Sequence, residues 1–252
     1  MSSVKALVKG ALARLGYAVH RLPPRAGDSA YAVEFDFEYV LAHFLAQRTA
    51  STPPFFLQVG AYDGVTHDPY SAHIRAEGWH GILVEPQPAA FERLVANNAG
   101  VNGLAFVNAA VAPEPGTRAL YVMEDEDGSP IGSLGHVASF DRGHLEHFLE
   151  ADGQRFAGAR IGSLQVRCMT FEQILSASPA LDLLLIDTEG YDLELLKLFD
   201  FARFQPAIVR FEHVHLSRPD WDEAVELLAR HGYRTLREEH DTTAYRASRR
   251  LG

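Results

Sequence analysis

The sequence predicts an α/β fold with a mostly parallel sheet and an antiparallel hairpin at its C-terminal edge. Three observations support this. From residue 55 onward, short apolar runs alternate with stretches of helical periodicity, which is typical of βαβ units. The runs are apolar along their length, as expected for strands that are covered on both faces. Near the C-terminus two further runs are separated by a short polar turn, which indicates a hairpin.

The elements follow one another in a regular order. Strands of the parallel sheet are predicted at Phe55–Val59, Gly81–Glu85, Leu104–Asn108, Leu181–Asp187 and Ala207–Glu212. Helices are predicted between and after them at Val65–Glu77, Ala89–Asn98, Leu193–Phe201 and Trp221–His231. The hairpin strands are Tyr233–Arg237 and Thr242–Ala247. The stretch Glu124–Gly143 is acidic and then rich in Gly and Ser, so we predict a mobile loop that covers the active site.

Composition excludes several classes of protein. The chain of 252 residues has a net charge of −10, which argues against a nucleic-acid-binding protein. Its single cysteine, Cys168, excludes an internal disulfide and a CxxC metal site, and its place in the strand-like run Leu164–Met169 predicts core packing. Because we find neither a bilayer-spanning apolar run nor a signal peptide, we expect a cytoplasmic protein.

Residues 1–50 are predicted to be a helical extension, and residues 51–252 the main domain. Residues 4–17 place apolar side chains at helical spacing and basic side chains on the other face. This helix either docks on the domain or rests on an anionic membrane surface or a partner protein. Pro23, Pro24 and Gly27 indicate a linker, and residues 34–50 a second helix.

The loop after the first strand has the sequence Gly60-Ala61-Tyr62-Asp63-Gly64. Ligands bind at the carboxyl ends of strands in open parallel sheets, and glycines there let the backbone approach the ligand. The spacing is not Gly-x-Gly-x-x-Gly, and a P-loop lysine is missing, so neither phosphate fingerprint applies. A purely structural tight turn is the alternative.

The ends of the next two strands refine this interpretation. Glu85 ends the second strand, 25 residues after Gly60, where a carboxylate can accept both hydroxyls of an adenosine ribose. Nicotinamide enzymes use an acid at the equivalent place, so Glu85 alone does not select the cofactor. Asn108, at the end of the third strand, either contacts the adenine or serves as a turn residue.

At this point the sequence resembles the FkbM-type methyltransferase family. The matching blocks are Gln58–Gly64, Val84–Pro86, Val107–Val111, Met169–Phe171, Leu185–Gly190 and Phe211–His213, in the family's order over about 160 residues. The resemblance implies a seven-stranded Rossmann-like methyltransferase fold, S-adenosylmethionine as cofactor, and O-methylation of a hydroxyl on a sugar, polysaccharide or secondary metabolite. The cofactor-binding residues it implies are Gln58, Gly60, Ala61, Tyr62, Asp63, Gly64, Glu85, Pro86, Asn108, Ala109 and Asp187.

The chain departs from the family pattern in the cofactor loop. Many members carry Asp where this chain has Gln58, so one hydrogen bond near the cofactor is expected to differ. Many also have Asn-x-Gly after the Gly-Ala pair, where this chain has Tyr62-Asp63-Gly64. Tyr62 is expected either to shape the methionine pocket or to cover the loop.

The predicted catalytic residues are Asp187, Glu189, Glu212 and His213, which follow the fourth and fifth strands. Methyl transfer to an alcohol needs in-line placement and removal of the hydroxyl proton. Either His213 or a carboxylate of raised pKa is the base, or Asp187, Glu212 and His213 hold Mg²⁺ or Mn²⁺ that lowers the pKa of the hydroxyl. In a third possibility these residues only position the substrate. His215 is expected to be a loop residue.

Two rival functions stay open at this point. One is a nicotinamide-dependent oxidoreductase, against which the missing dinucleotide fingerprint counts. The other is a non-catalytic cofactor-binding scaffold in polysaccharide assembly. For an enzyme, the expected partner is a small-molecule or glycan acceptor.

Overall fold

The structure is a computed structural model that describes residues 19–20, 32–33, 36–48, 52–66, 68–125, 137–151, 158–178 and 180–246. The chain divides into two units, residues 1–51 and 52–252. The predicted basic helix at 4–17 and the linker after it lie outside the described residues. Within the described ranges, no helix is both long and apolar enough to cross a membrane.

In the first unit, β1 (Val19–His20) pairs antiparallel with β2 (Ala32–Val33). Helix α1 (Phe37–Gln47) follows. It begins after Asp36, whose side chain accepts a hydrogen bond from the Tyr39 amide at 3.0 Å. This N-cap satisfies one of the amides that a helix start leaves unpaired. The observed helix lies inside the range predicted at residues 34–50.

The second unit alternates strands and helices as predicted. Its strands are β3 (Phe55–Val59), β4 (His80–Val84), β5 (Leu104–Val107), β6 (Ala110–Val111), β7 (Gly116–Glu124), β8 (Ala138–Ser139), β9 (Arg160–Met169), β10 (Leu183–Ile186), β11 (Ile208–Glu212), β12 (Tyr233–Arg237) and β13 (Asp241–Arg246). Its helices are α2 (Ser71–Ala76), α3 (Pro88–Asn97), α4 (Arg142–Ala151), α5 (Phe171–Ile174), α6 (Asp192–Leu198) and α7 (Arg218–Arg230).

The main sheet has seven strands in the order β12-β13-β11-β10-β3-β4-β5. Strands β11, β10, β3, β4 and β5 pair in parallel, and the β12–β13 hairpin adds antiparallel to β11. This is an α/β methyltransferase-like fold with a mixed, mostly parallel sheet. Its core runs along the central strands, where Leu57, Leu184 and Val209 have no exposed surface.

Strand order reverses beside β3. The chain moves from β3 outward through β4 to β5, and later returns to β10 on the other side of β3. Such a switch point separates the loops that follow neighbouring strands and opens a crevice at their carboxyl ends. The loops that carry the predicted site residues follow β3, β4, β10 and β11, so the sheet brings them to one edge.

A second sheet of four strands, in the order β6-β9-β7-β8, was not predicted from the sequence. Strands β7 and β9 pair antiparallel along nine residues, from Gly116 opposite Cys168 to Glu124 opposite Arg160. Cys168 is 1% exposed, which confirms its predicted packing in the core. The prediction of a single loop over Glu124–Gly143 is wrong at both ends. Glu124 belongs to β7, and the C-terminal end of the range contains β8 and the start of α4. Residues 126–136 lie outside the described residues.

Candidate active site

A cleft of about 910 Å³, counted with its open mouth, lies at the carboxyl ends of β3, β4 and β10. Its walls are the loop after β3, the end of β4 and the loop after β10. The second sheet closes the opposite side through Leu120, Ser139 and Phe140. The cleft therefore lies at the switch point of the main sheet, between that sheet and the one that the sequence did not reveal.

The loop after β3 fits this place only with glycine at position 60. Gly60 has a φ of +85°, and a Cβ there would lie 1.7 Å from the Asp187 carbonyl oxygen. The amides of Gly60 and Ala61 both donate to the Val84 carbonyl at 3.0 Å. These contacts press the loop against β4 and β10, and they leave its backbone as part of the cleft wall.

Tyr62 continues the loop in the left-handed region, with a φ of +46°. Its amide donates to Glu85 Oε2 at 2.9 Å, and the Arg93 guanidinium lies over its ring at 5.2 Å. Since a non-glycine residue in this region is strained, these two contacts hold a conformation that the chain would otherwise avoid. Tyr62 lines the cleft.

Glu85, at the end of β4, is held by two backbone hydrogen bonds. It is 3% exposed, lines the cleft, and accepts hydrogen bonds from the amides of Tyr62 at 2.9 Å and Gln87 at 2.8 Å. Burial raises the pKa of Glu85 to about 7, and the two amide hydrogen bonds oppose that rise. The carboxylate is thus held in place from two sides, and its remaining lone pairs are available to a ligand with hydroxyl groups.

Three predicted cofactor-binding residues do not line the cleft. Asp63 accepts hydrogen bonds from the Val65 amide and from the amide and hydroxyl of Thr66, so its carboxylate shapes the turn. Gly64, with a φ of +68°, packs closely against α3. Asn108 donates to the Glu85 carbonyl at 2.8 Å and so fixes the end of β4. The other predicted residues, Gln58, Gly60, Ala61, Tyr62, Glu85, Pro86, Ala109 and Asp187, line it.

A cluster of carboxylates and one histidine lies beside the cleft. His215 Nε2 is 3.1 Å from Glu189 Oε2 and 3.7 Å from Glu212 Oε2. Ligand atoms of these three side chains all lie within 4.8 Å of one another. Glu189 and Asp187 line the cleft, so the cluster meets the cavity through the loop after β10. We refer to Glu189, Glu212 and His215 as the acid–histidine cluster.

Crowding makes the carboxyl groups of this region hard to ionise. Burial, followed by the charges of Asp187 and Glu189, raises the pKa of Glu212 to about 10. Asp187 lines the cleft, and the protein atoms packed around its carboxyl group, followed by the Glu189 charge, hold its pKa well above the usual range. Burial and the neighbouring negative charges therefore disfavour the ionised form of both carboxyl groups.

Asp192 connects the loop after β10 with the end of β11, and the sequence analysis did not identify it. It has no exposed surface, and its carboxylate accepts from the Thr188 hydroxyl at 2.9 Å and from the Glu212 amide at 3.1 Å. Burial raises the pKa of Asp192 to about 6. In the sequence, Asp192 is an acid in the first turn of α6. Such an acid is equally expected without any role in a site, because a negative charge there complements the helix dipole.

The prediction that His213 belongs to the catalytic set needs correction. His213 is 3% exposed and lies against the hairpin, where Arg237 Nε donates to its Nε2 at 3.0 Å and Thr242 Oγ1 lies 3.1 Å from its Nδ1. Burial and the Arg237 charge lower the pKa of His213. Both ring nitrogens of His213 thus have partners in the hairpin and the residue does not line the cleft, whereas His215 contacts Glu189 and Glu212.

Comparison with known proteins gives a family. The model of the family described as "Methyltransferase FkbM domain" matches residues 58–235, well over half of the chain. No curated protein matches. Similar solved structures include Methyltransferase FkbM from Methylobacillus flagellatus KT, with 10% identity, a TM-score of 0.47, and coverage of 79% of this chain and 45% of that one.

Two other solved structures are also similar to this chain. Precorrin-6y C5,15-methyltransferase from Geobacter metallireducens GS-15 has 14% identity and a TM-score of 0.41 over 83% of this chain and 89% of that chain. The METTL16 MTase domain has 12% identity and a TM-score of 0.46 over 98% of this chain and 81% of that chain. Family membership rests on the family model. The chain belongs to the FkbM methyltransferase domain family.

Proposed function

We propose that this protein transfers a methyl group from S-adenosylmethionine to a hydroxyl oxygen of a small-molecule or glycan acceptor. The observation that carries the proposal is that one cleft is lined by Glu85, by the Gly60 loop and by Glu189 of the acid–histidine cluster. S-adenosylmethionine supplies an electrophilic methyl group on a sulfonium. The protein must then place the hydroxyl oxygen in line with this methyl group and remove the hydroxyl proton.

The cofactor side of the cleft fits an adenosine. Glu85 presents a fixed carboxylate, the group that accepts paired ribose hydroxyls in related folds. The absence of a side chain at Gly60 lets a ligand lie directly on the backbone, and Ala109 adds a small apolar surface at the end of β5. Membership of a methyltransferase family favours this cofactor over the nicotinamide alternative.

The acceptor side fits removal of a hydroxyl proton. Glu189 is the member of the acid–histidine cluster that lines the cleft, and it contacts His215 at 3.1 Å. We assign it as the general base, with His215 holding its carboxylate in place. Glu212, whose ionised form is disfavoured by burial and by the Asp187 and Glu189 charges, lies beside Glu189 in the cluster.

A divalent cation is the second candidate for activating the hydroxyl. Two carboxylates and an imidazole with ligand atoms within 4.8 Å form a donor set that suits Mn²⁺ or Fe²⁺ better than Mg²⁺. A buried Glu212 Oε2 that finds no hydrogen-bond partner among the described residues also favours it. In that case the cluster would hold the ion, and the ion would lower the pKa of the hydroxyl.

Calorimetry and mass spectrometry test the function together. We expect micromolar binding of S-adenosylmethionine and no binding of NAD, and metabolites that gain 14 Da (one methylene) when an extract is incubated with enzyme and cofactor. Glu189→Gln should bind the cofactor like the wild type but show at least ~100-fold slower turnover, the usual contribution of a general base. Cofactor binding without any methylated product would instead favour the scaffold alternative.

A chelator separates the two mechanisms. Full activity after EDTA treatment and desalting supports Glu189 as base without a metal. Loss of activity that Mn²⁺ restores supports the cation, particularly if Glu212→Gln and His215→Ala abolish the stoichiometric metal that elemental analysis would find in the wild type.

A further inference from the structure

The floor of the cleft contains a polar pair that the proposed mechanism does not use. Gln58, on β3, is 4% exposed and lines the cleft. Its Oε1 is buried and has no hydrogen-bond partner among the described residues. An unpaired buried amide oxygen is destabilising, so a group that persists in this state at a ligand cavity points to a ligand that pairs it.

Asp68 forms the other half of the pair. It also lines the cleft, and its Oδ1 accepts from the Tyr70 amide at 2.8 Å. Its Oδ2 is buried and, within the described part of the chain, finds no hydrogen-bond partner. Burial raises the pKa of Asp68, while hydrogen bonds from Tyr70 and from the Gln58 side chain oppose the rise. The two side chains are therefore in contact, and each keeps an unused acceptor.

The chemistry of this pair selects the ligand group. Both unused atoms are acceptors, so the ligand must be a donor with at least two hydrogens. The nearby charge that acts on Asp68 belongs to another acid, Asp63, so a cation is favoured over a neutral donor. A primary ammonium meets both requirements because it carries three N–H donors and a positive charge.

We infer that Gln58 and Asp68 together bind the α-ammonium group of the methionine moiety of S-adenosylmethionine, with Asp68 supplying the carboxylate that this chain lacks at position 58. The inference rests on the proposed function. It also accounts for the departure of Gln58 from the family pattern, since the negative charge lies ten residues later in the chain at the same cavity. The amide then orients the carboxylate and adds a second acceptor.

Paired ligands test the inference by calorimetry. S-adenosylmethionine carries the ammonium, and 5′-deoxy-5′-methylthioadenosine lacks the whole aminocarboxypropyl group. Asp68→Asn should weaken binding of S-adenosylmethionine about 10- to 100-fold, the range for a lost charge-assisted hydrogen bond, and change binding of methylthioadenosine less than about threefold. Equal losses for both ligands would mean that Asp68 only shapes the loop, and no loss for either would also overturn the inference.

An exchange of the two groups provides the matched control. Gln58→Glu in the Asp68→Asn background keeps the length of each side chain and moves the carboxylate to the other position. This double variant should recover most of the affinity for S-adenosylmethionine. Gln58→Met removes the amide acceptor and leaves the backbone contacts of Asp68, so it should weaken S-adenosylmethionine selectively even if Asp68→Asn misfolds. A wild-type protein that binds methylthioadenosine as tightly as S-adenosylmethionine would overturn the ammonium site alone; one that binds neither would overturn the proposed function as well.

Discussion

Glu85 couples cofactor binding to protein stability through its ionisation. Its pKa of about 7 in the folded protein lies above the value of 4.5 for an ordinary glutamate, because burial disfavours the charged form. The folded state therefore holds a proton that the unfolded state has already lost between these two values. Folding stability falls as pH rises from about 4.5 to about 7, and the full penalty applies above pH 7.

The size of the penalty follows from the pKa difference. A difference of about 2.5 pKa units corresponds to about 3 kcal/mol. Glu85→Gln removes this penalty but loses one hydrogen bond, because an amide nitrogen cannot accept from the Tyr62 or Gln87 amide. That loss is the same at every pH. The stability difference between variant and wild type should therefore be about 2 to 3 kcal/mol more favourable at pH 8 than at pH 5.

Urea unfolding of wild type and Glu85→Gln at the two pH values measures this double difference. Glu92→Gln, at an exposed position of α3, controls for the loss of one acid. Calorimetry on the same proteins should show wild-type affinity for S-adenosylmethionine that rises with pH up to about 7, and a weaker affinity for Glu85→Gln that depends less on pH. A double difference below about 0.5 kcal/mol would refute the reasoning, since it would mean that Glu85 ionises in the folded protein as easily as in the unfolded one.

Three further substitutions probe the frame of the site. Gly60→Ala should destabilise the domain strongly and weaken cofactor binding at least ~10-fold, because the new Cβ would collide with the Asp187 carbonyl. The control is Gly78→Ala, which also lies at positive φ but faces open space and should lower the free energy of unfolding by only about 1–2 kcal/mol. Equal melting temperatures for the two variants would contradict this. His213→Ala should lower the free energy of unfolding by about 2–4 kcal/mol and leave turnover of the folded protein within a few-fold of the wild-type value. A stable but inactive variant would instead support the predicted catalytic role of His213. Asp192→Asn should lower turnover more than cofactor affinity, because Asp192 fixes both the Glu212 backbone and the loop that carries Glu189. An unchanged turnover number would refute that role.

The main sheet was predictable because its signals are local. Strand β3 occupies the predicted residues, and β4, β10 and β11 differ from prediction only at their ends. The helix after the cofactor loop is shorter than predicted and begins at Ser71 instead of Val65. Asp63 closes a turn with Thr66, and Pro69 keeps Asp68 out of helical geometry. The residues before Ser71 therefore do not form the helix that their periodicity predicts.

The second sheet escaped prediction for a different reason. Strand β7 begins with four residues that are exposed or half-buried, and its partner β9 lies more than thirty residues later in the chain. Its period-two pattern is therefore weak at the start, and the acidic segment that follows resembles a loop. Pairing with β9 decides the structure, and such a long-range contact leaves no local mark in a single sequence.

The choice between His213 and His215 also depends on distant residues. Both follow Glu212 within three positions, and either spacing is compatible with a ligand at a strand end. The His213 amide donates to the His240 carbonyl, so the hairpin captures this residue as β11 ends. Arg237 and Thr242 then bond its ring, and the chain turns before His215 reaches Glu189. The fold of the last forty residues therefore decides whether His213 or His215 lies beside Glu189.

The excess of acids in the crevice connects the stability of the protein with its proposed reaction. S-adenosylmethionine carries one positive charge more than S-adenosylhomocysteine, the product that remains after methyl transfer. Burial raises the pKa of Glu85, and burial together with neighbouring acids raises the pKa of Asp187; such carboxyl groups bind a cationic ligand more tightly than a neutral one. The acids thus favour the substrate over its product, at the cost of a less stable empty protein.

This argument predicts that binding of the cofactor releases protons. A bound sulfonium and ammonium lower the pKa of nearby carboxyl groups, so groups that hold a proton in the free protein lose it on binding. At pH 7 we expect S-adenosylmethionine to release up to about one proton, and S-adenosylhomocysteine clearly fewer. Calorimetric titrations in buffers of different ionisation enthalpy measure the number directly. Equal proton release for the two ligands would show that the acids near the cleft do not sense the sulfonium charge, and the preference for substrate over product would then need another cause.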